Sequence, residues 1–381
     1  MNIPRIILSA AIVLSIYGGA HYYIAKRLYQ WLDLLSLGIN VKIYTCVFIL
    51  VALSLFLGFS PLPPGVRSVF ACIGAYWIGI FVYLLIFTFA ADIAVLIIRA
   101  VKIIPGAVPQ SALFVKGLIV VLLTAGVVSY GLFNANQIRH VTYDIRLKEA
   151  ALNDMRIVLI SDSHLGAKSS SESNLERIVR AINELAPDIV CISGDIFNDD
   201  FDALRDPERA GALLKNIDAT YGVYASLGNH DGGRTLPQIM SFLEESNIKL
   251  LNDEYVIIDG RLALFGRLDS RPIGGSGELR RQDIAETIKT VGAEMPVIVM
   301  EHNPSHYKEY GGETGLILSG HTHRGQLFPG SLITSAMYIS DYGHFQKDGD
   351  SPHMITTSGI GTWGPPMRVG TNNEIVSIIL R

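Results

Sequence analysis

Five short signatures in the second half of the chain carry side chains that bind divalent metals. In order, they are Asp162-Ser163-His164, Gly194-Asp195, Gly228-Asn229-His230-Asp231, Glu301-His302-Asn303 and Gly320-His321-Thr322-His323. Together they offer carboxylate, amide and imidazole donors, enough for two cations a few ångströms apart. A pair of divalent cations is the equipment of two-metal phosphate-ester hydrolysis. One such signature alone would more often be a polar loop or a satisfied core group, but five in this order rarely arise by chance.

The donors divide into two predicted metal sites that share one aspartate. A carboxylate can offer one oxygen to each of two cations, and we assign this bridging role to Asp195. Six further donors complete the two sites, with Asp162, His164 and His323 in one and Asn229, His302 and His321 in the other. Mixed oxygen and nitrogen donors favour Mn²⁺, Fe or Zn²⁺ over Mg²⁺ or Ca²⁺. The sequence leaves the choice among the first three metals open.

The predicted chemistry needs a nucleophile and an acid. Paired cations lower the pKa of a bridging water, so that hydroxide can attack phosphorus in line. The departing alkoxide then needs a proton, and His230, which follows Asn229, is the natural general acid. The alternative, an imidazole satisfied within the core, is disfavoured in a Gly-Asn-His-Asp turn.

Short apolar runs precede the signatures and predict the strands that position them. Each run stops at or just before a donor, and the runs cover residues 155–161, 189–193, 223–227, 296–300 and 316–319. Residues 141–147 and 262–266 predict two more strands without a ligand, and helices or loops link the runs. In α/β sheets, ligands gather beyond the carboxyl ends of the strands. We therefore expect an α/β domain in which donors far apart in sequence converge on one sheet edge.

The first 137 residues form an unlike, strongly apolar region. Four nearly uncharged stretches predict transmembrane helices at about residues 6–24, 43–60, 68–98 and 117–135. Each is long enough to span a bilayer, which takes roughly 20 residues of helix. The predicted domains are therefore a transmembrane bundle of four helices over 1–137 and a globular domain over 138–381. A net charge of −4 argues against a nucleic-acid partner, which would call for a concentrated basic face.

Basic residues in the loops predict the orientation of these helices. The first and third loops hold most of them, namely Lys26, Arg27 and Lys42 in the first and Arg99, Lys102 and Lys116 in the third. Cytoplasmic loops carry the excess of lysine and arginine. We therefore predict an integral protein of the cell membrane with an extracytoplasmic C-terminal catalytic domain.

On these signatures the chain resembles the calcineurin-like metallophosphoesterases over roughly residues 141–381. Their pattern is Asp-x-His, Gly-Asp-x-x-Asp, Gly-Asn-His-Asp/Glu, His and Gly-His-x-His. The runs SGIGTWGPPMR at 358–368 and GHTHRGQ at 320–326 are similar to the membrane-associated branch with N-terminal transmembrane helices. The resemblance implies a double β-sandwich flanked by helices, and its metal assignments agree with those made above.

The second signature departs from the family pattern at one position. Asn198 stands where the pattern often has an aspartate, which in several relatives orients the catalytic histidine. We expect Asn198 to hold the imidazole of His230 by a hydrogen bond, though with less stabilisation of its positive form. Asp199 is adjacent, but on an extended segment it would point elsewhere.

A loop rich in glycine and proline near the end of the chain offers two candidate substrate contacts. Arg368 could pair with a phosphate, and Trp363 could cover a base or a lipid headgroup. Packing of this loop against the sheet edge is the alternative. We also expect residues 269–284 to overhang the site.

The sequence supports two functions of different classes. The first is a membrane-anchored dinuclear-metal phosphoesterase, with a lipid or lipid-linked phosphate as the substrate because the short connector would keep the site near the bilayer. The second is a non-enzymatic membrane protein that uses a degenerate phosphoesterase domain for metal binding or sensing. All seven predicted metal positions and His230 are present, which favours the enzyme. Monoester and diester substrates remain equally open.

Overall fold

The computed structural model describes residues 3–103, 107–147, 152, 154–167 and 172–381. The chain forms two compact units, Met1–Gly131 and Leu132–Arg381. The boundary falls in the last turn of a long apolar helix, so the end of that helix belongs to the C-terminal unit.

The N-terminal region consists of helices because it is apolar and nearly free of internal proline. In the described residues these are α1 (Ile3–Leu34), α2 (Val41–Leu57), α3 (Pro64–Ala100) and α4 (Gln110–Asn134). Among them α1, α3 and α4 are long and apolar enough to cross a membrane. Helix α2 has 17 residues, at the lower limit of a span. Apolar helices are therefore found at all four predicted places, while three of the described helices qualify as spans by length and composition.

An ion cluster neutralises the acidic residue within α3. Asp92 accepts a hydrogen bond from the hydroxyl of Tyr23 at 2.7 Å and pairs with Lys116 at 2.8 Å and Arg27 at 2.7 Å. A carboxylate among apolar helices needs such partners. These contacts give Asp92 a structural role in the N-terminal unit.

The described part of the C-terminal unit contains two six-stranded mixed sheets. The first has the order β1-β12-β2-β3-β4-β5 and the second β10-β11-β9-β8-β7-β6. The strands are β1 (Ile138–Ile145), β2 (Met155–Ile160), β3 (Ile189–Ser193), β4 (Val223–Ser226), β5 (Ile248–Leu250), β6 (Glu254–Ile258), β7 (Leu262–Gly266), β8 (Val297–Met300), β9 (Leu316–Ser319), β10 (Gly343–Phe345), β11 (His353–Thr356) and β12 (Asn373–Leu380). The helices are α5 (Glu172–Asn183), α6 (Pro207–Leu214), α7 (Leu236–Glu245), α8 (Ala285–Gly292) and α9 (Gly330–Met337).

Alternating side chains divide each central strand between two apolar cores. Ile157 and Leu159 of β2 face Leu264 and Leu318 of the second sheet in a shared, fully buried core. The outer face of the first sheet packs on α5, α6 and α7, and that of the second on α8. The unit is therefore an α/β fold of two packed sheets flanked by helices, as the sequence predicts.

Parallel pairing in each sheet brings the strand ends together. Strands β2, β3 and β4 pair in parallel in the first sheet, and β7, β8 and β9 do so in the second. Their carboxyl ends therefore lie at one edge of each sheet. The loops that leave these ends carry all five signatures.

Candidate metal centre

Six of the predicted donors converge in two groups at the strand ends. Within each group the ligand atoms lie within 4.8 Å of one another; the groups are Asp162, His164 and His323, and Asp195, His302 and His321. The two aspartates of this set, Asp162 and Asp195, are at most 1% exposed. Buried carboxylates and imidazoles that face one another call for a compensating cation.

The spacing of the donor atoms fits a shared ion in each group. In the first group, Nε2 of His164 lies 3.1 Å from Nε2 of His323, which is 3.4 Å from Oδ1 of Asp162. In the second, Nε2 of His302 lies 3.1 Å from Oδ2 of Asp195 and 3.3 Å from Nδ1 of His321. Two ligands at the usual metal–nitrogen distance lie about 3.0–3.4 Å apart around one ion.

Asp195 occupies the position that a bridging ligand requires. Its Oδ2 is 3.1 Å from His302 of the second group and 4.0 Å from Nε2 of His164 in the first. Its Oδ1 accepts the backbone N–H of His230 at 2.8 Å, which fixes the carboxylate plane. One carboxylate therefore faces both donor groups.

Asn229 supplies an independent test of whether the site suits a metal. Its Oδ1 is buried and has no hydrogen-bond partner among the described residues. An unpaired buried amide oxygen costs about 1–3 kcal/mol, and a metal ligand is one way to offset that cost. The amide oxygen is thus available as a seventh donor, the role that the sequence predicts for it.

Left-handed backbone geometry turns the donors toward the sheet edge. Five of the six grouped donors have positive φ angles, namely Asp162 (58°), His164 (45°), Asp195 (51°), His321 (71°) and His323 (48°). Each such conformation costs on the order of 1–3 kcal/mol in a residue other than glycine and persists where the surrounding structure enforces it. The concentration of this strain at the strand ends marks them as the functional region.

Glycine at the start of the second signature leaves room for the donors. A Cβ atom on Gly194 would lie 2.6 Å from Nδ1 of His302 and 2.7 Å from the Cα of Gly228. Its φ of +78° is also one that other residues rarely adopt. The Gly-Asp pair is therefore needed for close packing as well as for the carboxylate.

Two of the grouped histidines, His164 and His321, have protonation states that suit metal ligands. Burial lowers the pKa of His164 and of His321 to about 4, so both imidazoles are neutral near pH 7, as metal ligands must be. Burial opposes the ionisation of Asp195 and His302, but their contact outweighs it. The pKa of Asp195 lies below its ordinary value and that of His302 well above.

Hydrogen bonds from outside the groups orient two of the rings. Nδ1 of His302 donates to the carbonyl of Ser193 at 2.8 Å, which leaves Nε2 directed at Asp195. The Arg368 guanidinium lies 3.2 Å from Nδ1 of His323. Such partners of metal ligands fix the ring orientation.

Arg368 is not the substrate contact that the sequence suggested. Its side chain is fully buried and donates to the carbonyls of Ser358 at 2.6 Å and Gly361 at 2.7 Å. Burial lowers its pKa to about 10, which leaves it protonated at neutral pH. The prediction was wrong because the loop folds back over the guanidinium, which therefore braces the loop and His323.

Trp363 lies at the edge of the candidate site, with 52% of its surface exposed. Its ring centroid is 5.8 Å from that of His230. The loop at 269–284 also borders the candidate site. The Ile273 N–H donates to the carbonyl of Asn229 at 2.7 Å, and the Gly233 N–H donates to the carbonyl of Gly275 at 2.7 Å. Trp363 thus keeps its place as a candidate substrate contact.

The partner of His230 is Asp199 rather than Asn198. Nδ1 of His230 lies 2.6 Å from Oδ1 of Asp199, and the Asp199 N–H donates to the His230 carbonyl at 3.1 Å. The expectation that Asp199 points elsewhere was wrong because its backbone is left-handed, with φ 65°, instead of extended. The carboxylate is therefore present one residue later than the family pattern places it.

The carboxylate raises the pKa of His230. Burial alone would lower it, but the hydrogen bond with Asp199 and the charge of Asp195 outweigh burial, so the pKa lies above its ordinary value. A protonated imidazole near neutral pH is what a general acid requires.

Comparisons with known proteins agree with this geometry. The family model of the calcineurin-like phosphoesterases matches residues 155–325. A transmembrane protein with metallophosphoesterase domain from Danio rerio is 31% identical over 327 residues, covering 82% of this chain and 72% of that protein. Its counterpart by name from Bos taurus is 26% identical, covering 82% and 73%. In both, the matched share exceeds what the C-terminal unit alone could supply.

A bacterial relative matches a shorter stretch. An uncharacterized metallophosphoesterase of Campylobacter jejuni is 28% identical over 234 residues, which is 60% of this chain and 59% of that protein. The signatures, their convergence on the strand ends and the relatives lead to one conclusion. The chain belongs to the calcineurin-like phosphoesterase family, as a membrane protein with apolar N-terminal helices.

Proposed function

We propose that this protein is a membrane-anchored, dinuclear-metal phosphoesterase that hydrolyses a phosphate ester. The observation that carries the proposal is the pair of donor groups on either side of Asp195, with a histidine held by a carboxylate next to them. A domain kept only for metal binding or sensing would not require His230 and Asp199 beside the donors.

The seven donors suit two divalent cations, Mn²⁺, Fe or Zn²⁺. When bound, such a pair neutralises phosphate oxygens and provides hydroxide near neutral pH. Asp195 would hold both ions, and Asn229 would complete the second set through its unpaired Oδ1.

His230 would deliver the proton that the leaving oxygen needs. Asp199 takes the hydrogen bond from Nδ1, so that Nε2 is the atom available to donate toward a substrate. Trp363 would cover the outer side of the same space, next to the His230 ring. Arg368 would act only through His323 and the loop that carries Trp363.

The substrate class we favour is a phosphate ester in or attached to a lipid. Helix α4 ends at Asn134 and β1 begins at Ile138, so only residues 135–137 separate an apolar helix from the phosphoesterase fold. Four Cα–Cα steps reach at most about 14 Å. A connector this short would start the C-terminal fold close to the bilayer that α4 is proposed to span, which favours a substrate held in that bilayer.

We also propose that all four apolar helices span the cell membrane and that the C-terminal unit is extracytoplasmic. Loop charge supports this orientation, and α2 could cross with few residues to spare. Protease treatment of intact cells tests it. Cleavage between 138 and 381 before lysis is the expected result, and protection there until lysis would reverse the orientation.

The central experiment uses the full-length protein purified in detergent. With Mn²⁺ present, we expect release of phosphate from a lipid phosphate or of nitrophenol from bis-p-nitrophenyl phosphate, and loss of both after chelation. The Asp195→Asn variant should be nearly inactive at equal folding. Asp144→Asn, an exposed carboxylate on β1, is the matched control. Turnover that survives chelation, or full activity in Asp195→Asn, would contradict the proposal.

A further inference from the structure

Helix α9 leaves an unusual amount of apolar surface exposed beside the metal centre. None of its side chains is buried, and the segment from Leu327 to Ser340 contains no charged residue. The exposed fractions are 62% for Leu332, 61% for Ile333 and 69% for Met337. A short helix in water normally depends on burying one face, so this one calls for a partner.

The exposed surface extends beyond the helix. Phe328 precedes α9 with 51% exposure, and Ile339 follows it with 41%. We call Phe328, Leu332, Ile333, Met337 and Ile339 the apolar rim. Contiguous apolar surface of this kind marks a site that contacts protein or membrane.

The apolar rim borders both parts of the candidate active site. The ring of Tyr338, between Met337 and Ile339, lies 6.0 Å from that of His321. On the other side, Gln326 donates to the carbonyl of Trp363 at 2.9 Å, and Trp363 is next to His230. A partner that covers the apolar rim would therefore lie next to the entrance of the candidate active site.

Hydrogen bonds connect the apolar rim, through one loop, to the end of helix α4. The Phe328 N–H donates to the carbonyl of Val369 at 2.8 Å. Two residues later in the same loop, the carbonyl of Thr371 accepts from Nδ2 of Asn134 at 2.7 Å, and that of Arg368 accepts at 3.1 Å. Asn134 ends α4, so one short loop holds both the rim and the point where the chain leaves the apolar helix.

We propose that the apolar rim docks into the lipid interface and seats the metal centre at headgroup level. An uncharged apolar segment with aromatic residues at its edges is typical of interfacial insertion. The continuity with α4 favours a bilayer over a soluble protein partner, since the bilayer is already within reach. A second copy of this chain is the competing occupant.

Docking has a consequence for the substrate. A phosphate of a membrane lipid would then face His230 and the donor groups without leaving the bilayer. This part rests on the proposed phosphoesterase function, whereas the docking itself does not. The experiment therefore has one arm without catalysis and one with it.

The first arm measures lipid contact with an environment-sensitive fluorophore. Cys46 and Cys72 are replaced by alanine, buried Cys191 is kept, and a single label is placed at Leu332→Cys in the full chain. The protein is placed at one copy per nanodisc, made of equal parts phosphatidylcholine and phosphatidylglycerol with spin-labelled acyl chains. The control label is Ile257→Cys on the edge strand β6, which is 52% exposed.

We expect about twofold quenching by the spin-labelled lipid at position 332 and protection there from aqueous iodide. The label at 257 should show neither effect. Iodide access at 332 equal to that at 257 overturns the proposal. So does a label at 332 that is shielded from iodide only when two copies share a disc, because a second copy is then the partner.

The second arm compares the Leu332→Glu/Ile333→Glu variant with Ile257→Glu. Hydrolysis of phosphatidic acid in vesicles should fall about tenfold in the double variant, while hydrolysis of soluble bis-p-nitrophenyl phosphate should stay at the wild-type rate. Equal loss on both substrates would contradict docking. If the wild type hydrolyses neither, the phosphoesterase proposal fails and the fluorescence arm still decides docking.

Discussion

The floor and the rim of the candidate site are built in different ways. The floor consists of buried donors such as Asp162, Asp195 and His302, fixed by strand ends and by left-handed turns. The rim consists of Asp199 and Trp363, which lie on loops and keep much of their surface exposed. The floor holds charge in place, whereas the rim meets the substrate and its surroundings.

This difference teaches where changes should be severe and where they should be selective. A change in the floor removes a buried partner of other charges, so every substrate should suffer alike. A change at the rim should act on particular leaving groups, pH ranges or substrates. The following predictions separate the two regions.

The largest effect is expected for Asp195→Asn. An amide cannot offer a charged oxygen to both donor groups, so kcat/KM should fall by about 10³-fold on every substrate. Steady-state assays on the lipid phosphate and on bis-p-nitrophenyl phosphate measure this. A loss of kcat/KM on only one of the two substrates would mean that Asp195 contributes to substrate selection and not to holding both metals.

His230→Gln should have a smaller effect that depends on the leaving group. A general acid contributes about 10²-fold or more where the leaving oxygen needs a proton. We expect that loss for an alkyl phosphate and a much weaker one for a nitrophenyl ester, which departs as a stable anion. Equal losses for both esters would remove His230 from the proton-transfer step.

Asp199→Asn should shift the pH profile and cost about tenfold in rate. The protonated form of His230 is the active one, and Asp199 helps to raise its pKa. The raised pKa keeps His230 protonated to higher pH, so removing the carboxylate should move the alkaline limb to lower pH. Asn198→Ala is the matched control, and the alkaline limb of its pH–rate profile should stay where it is in the wild type. A shift of that limb in Asn198→Ala but not in Asp199→Asn would mean that Asn198 is the residue that holds the imidazole of His230.

The smallest effect is expected for Trp363→Ala. Its exposed ring offers contact area without holding a charge, so KM for a lipid phosphate should rise about threefold with kcat nearly unchanged. Bis-p-nitrophenyl phosphate serves as the comparison. A fall in kcat with constant KM would mean that the ring positions His230 rather than the substrate.

The sequence predicted the floor well because its geometry follows from strand ends. Strands at 189–193 and 316–319 have the predicted bounds, and the donors after them converge as parallel pairing requires. A short apolar run and a following ligand are both local features. The sheet then brings them together whatever their distance in sequence.

The rim could not be predicted in the same way because its conformation depends on single turns. The side chain of Asp199 reaches His230 because the φ angle of Asp199 is positive. The sequence of a loop does not show which of its aspartates will adopt a positive φ angle. Arg368 is buried because a distant loop folds over it, so its charge was misleading. Helix α9 has only eight residues, too few for a helical period in the sequence to reveal it.

Metal content tests the central claim most directly. The full-length protein, purified without chelator and analysed by mass spectrometry of its metals, should carry two divalent ions per chain. Asp195→Asn should carry at most one, while Asp144→Asn should keep both. Fewer than two bound ions per chain in folded wild-type protein, after incubation with excess Mn²⁺ or Zn²⁺, would contradict the account.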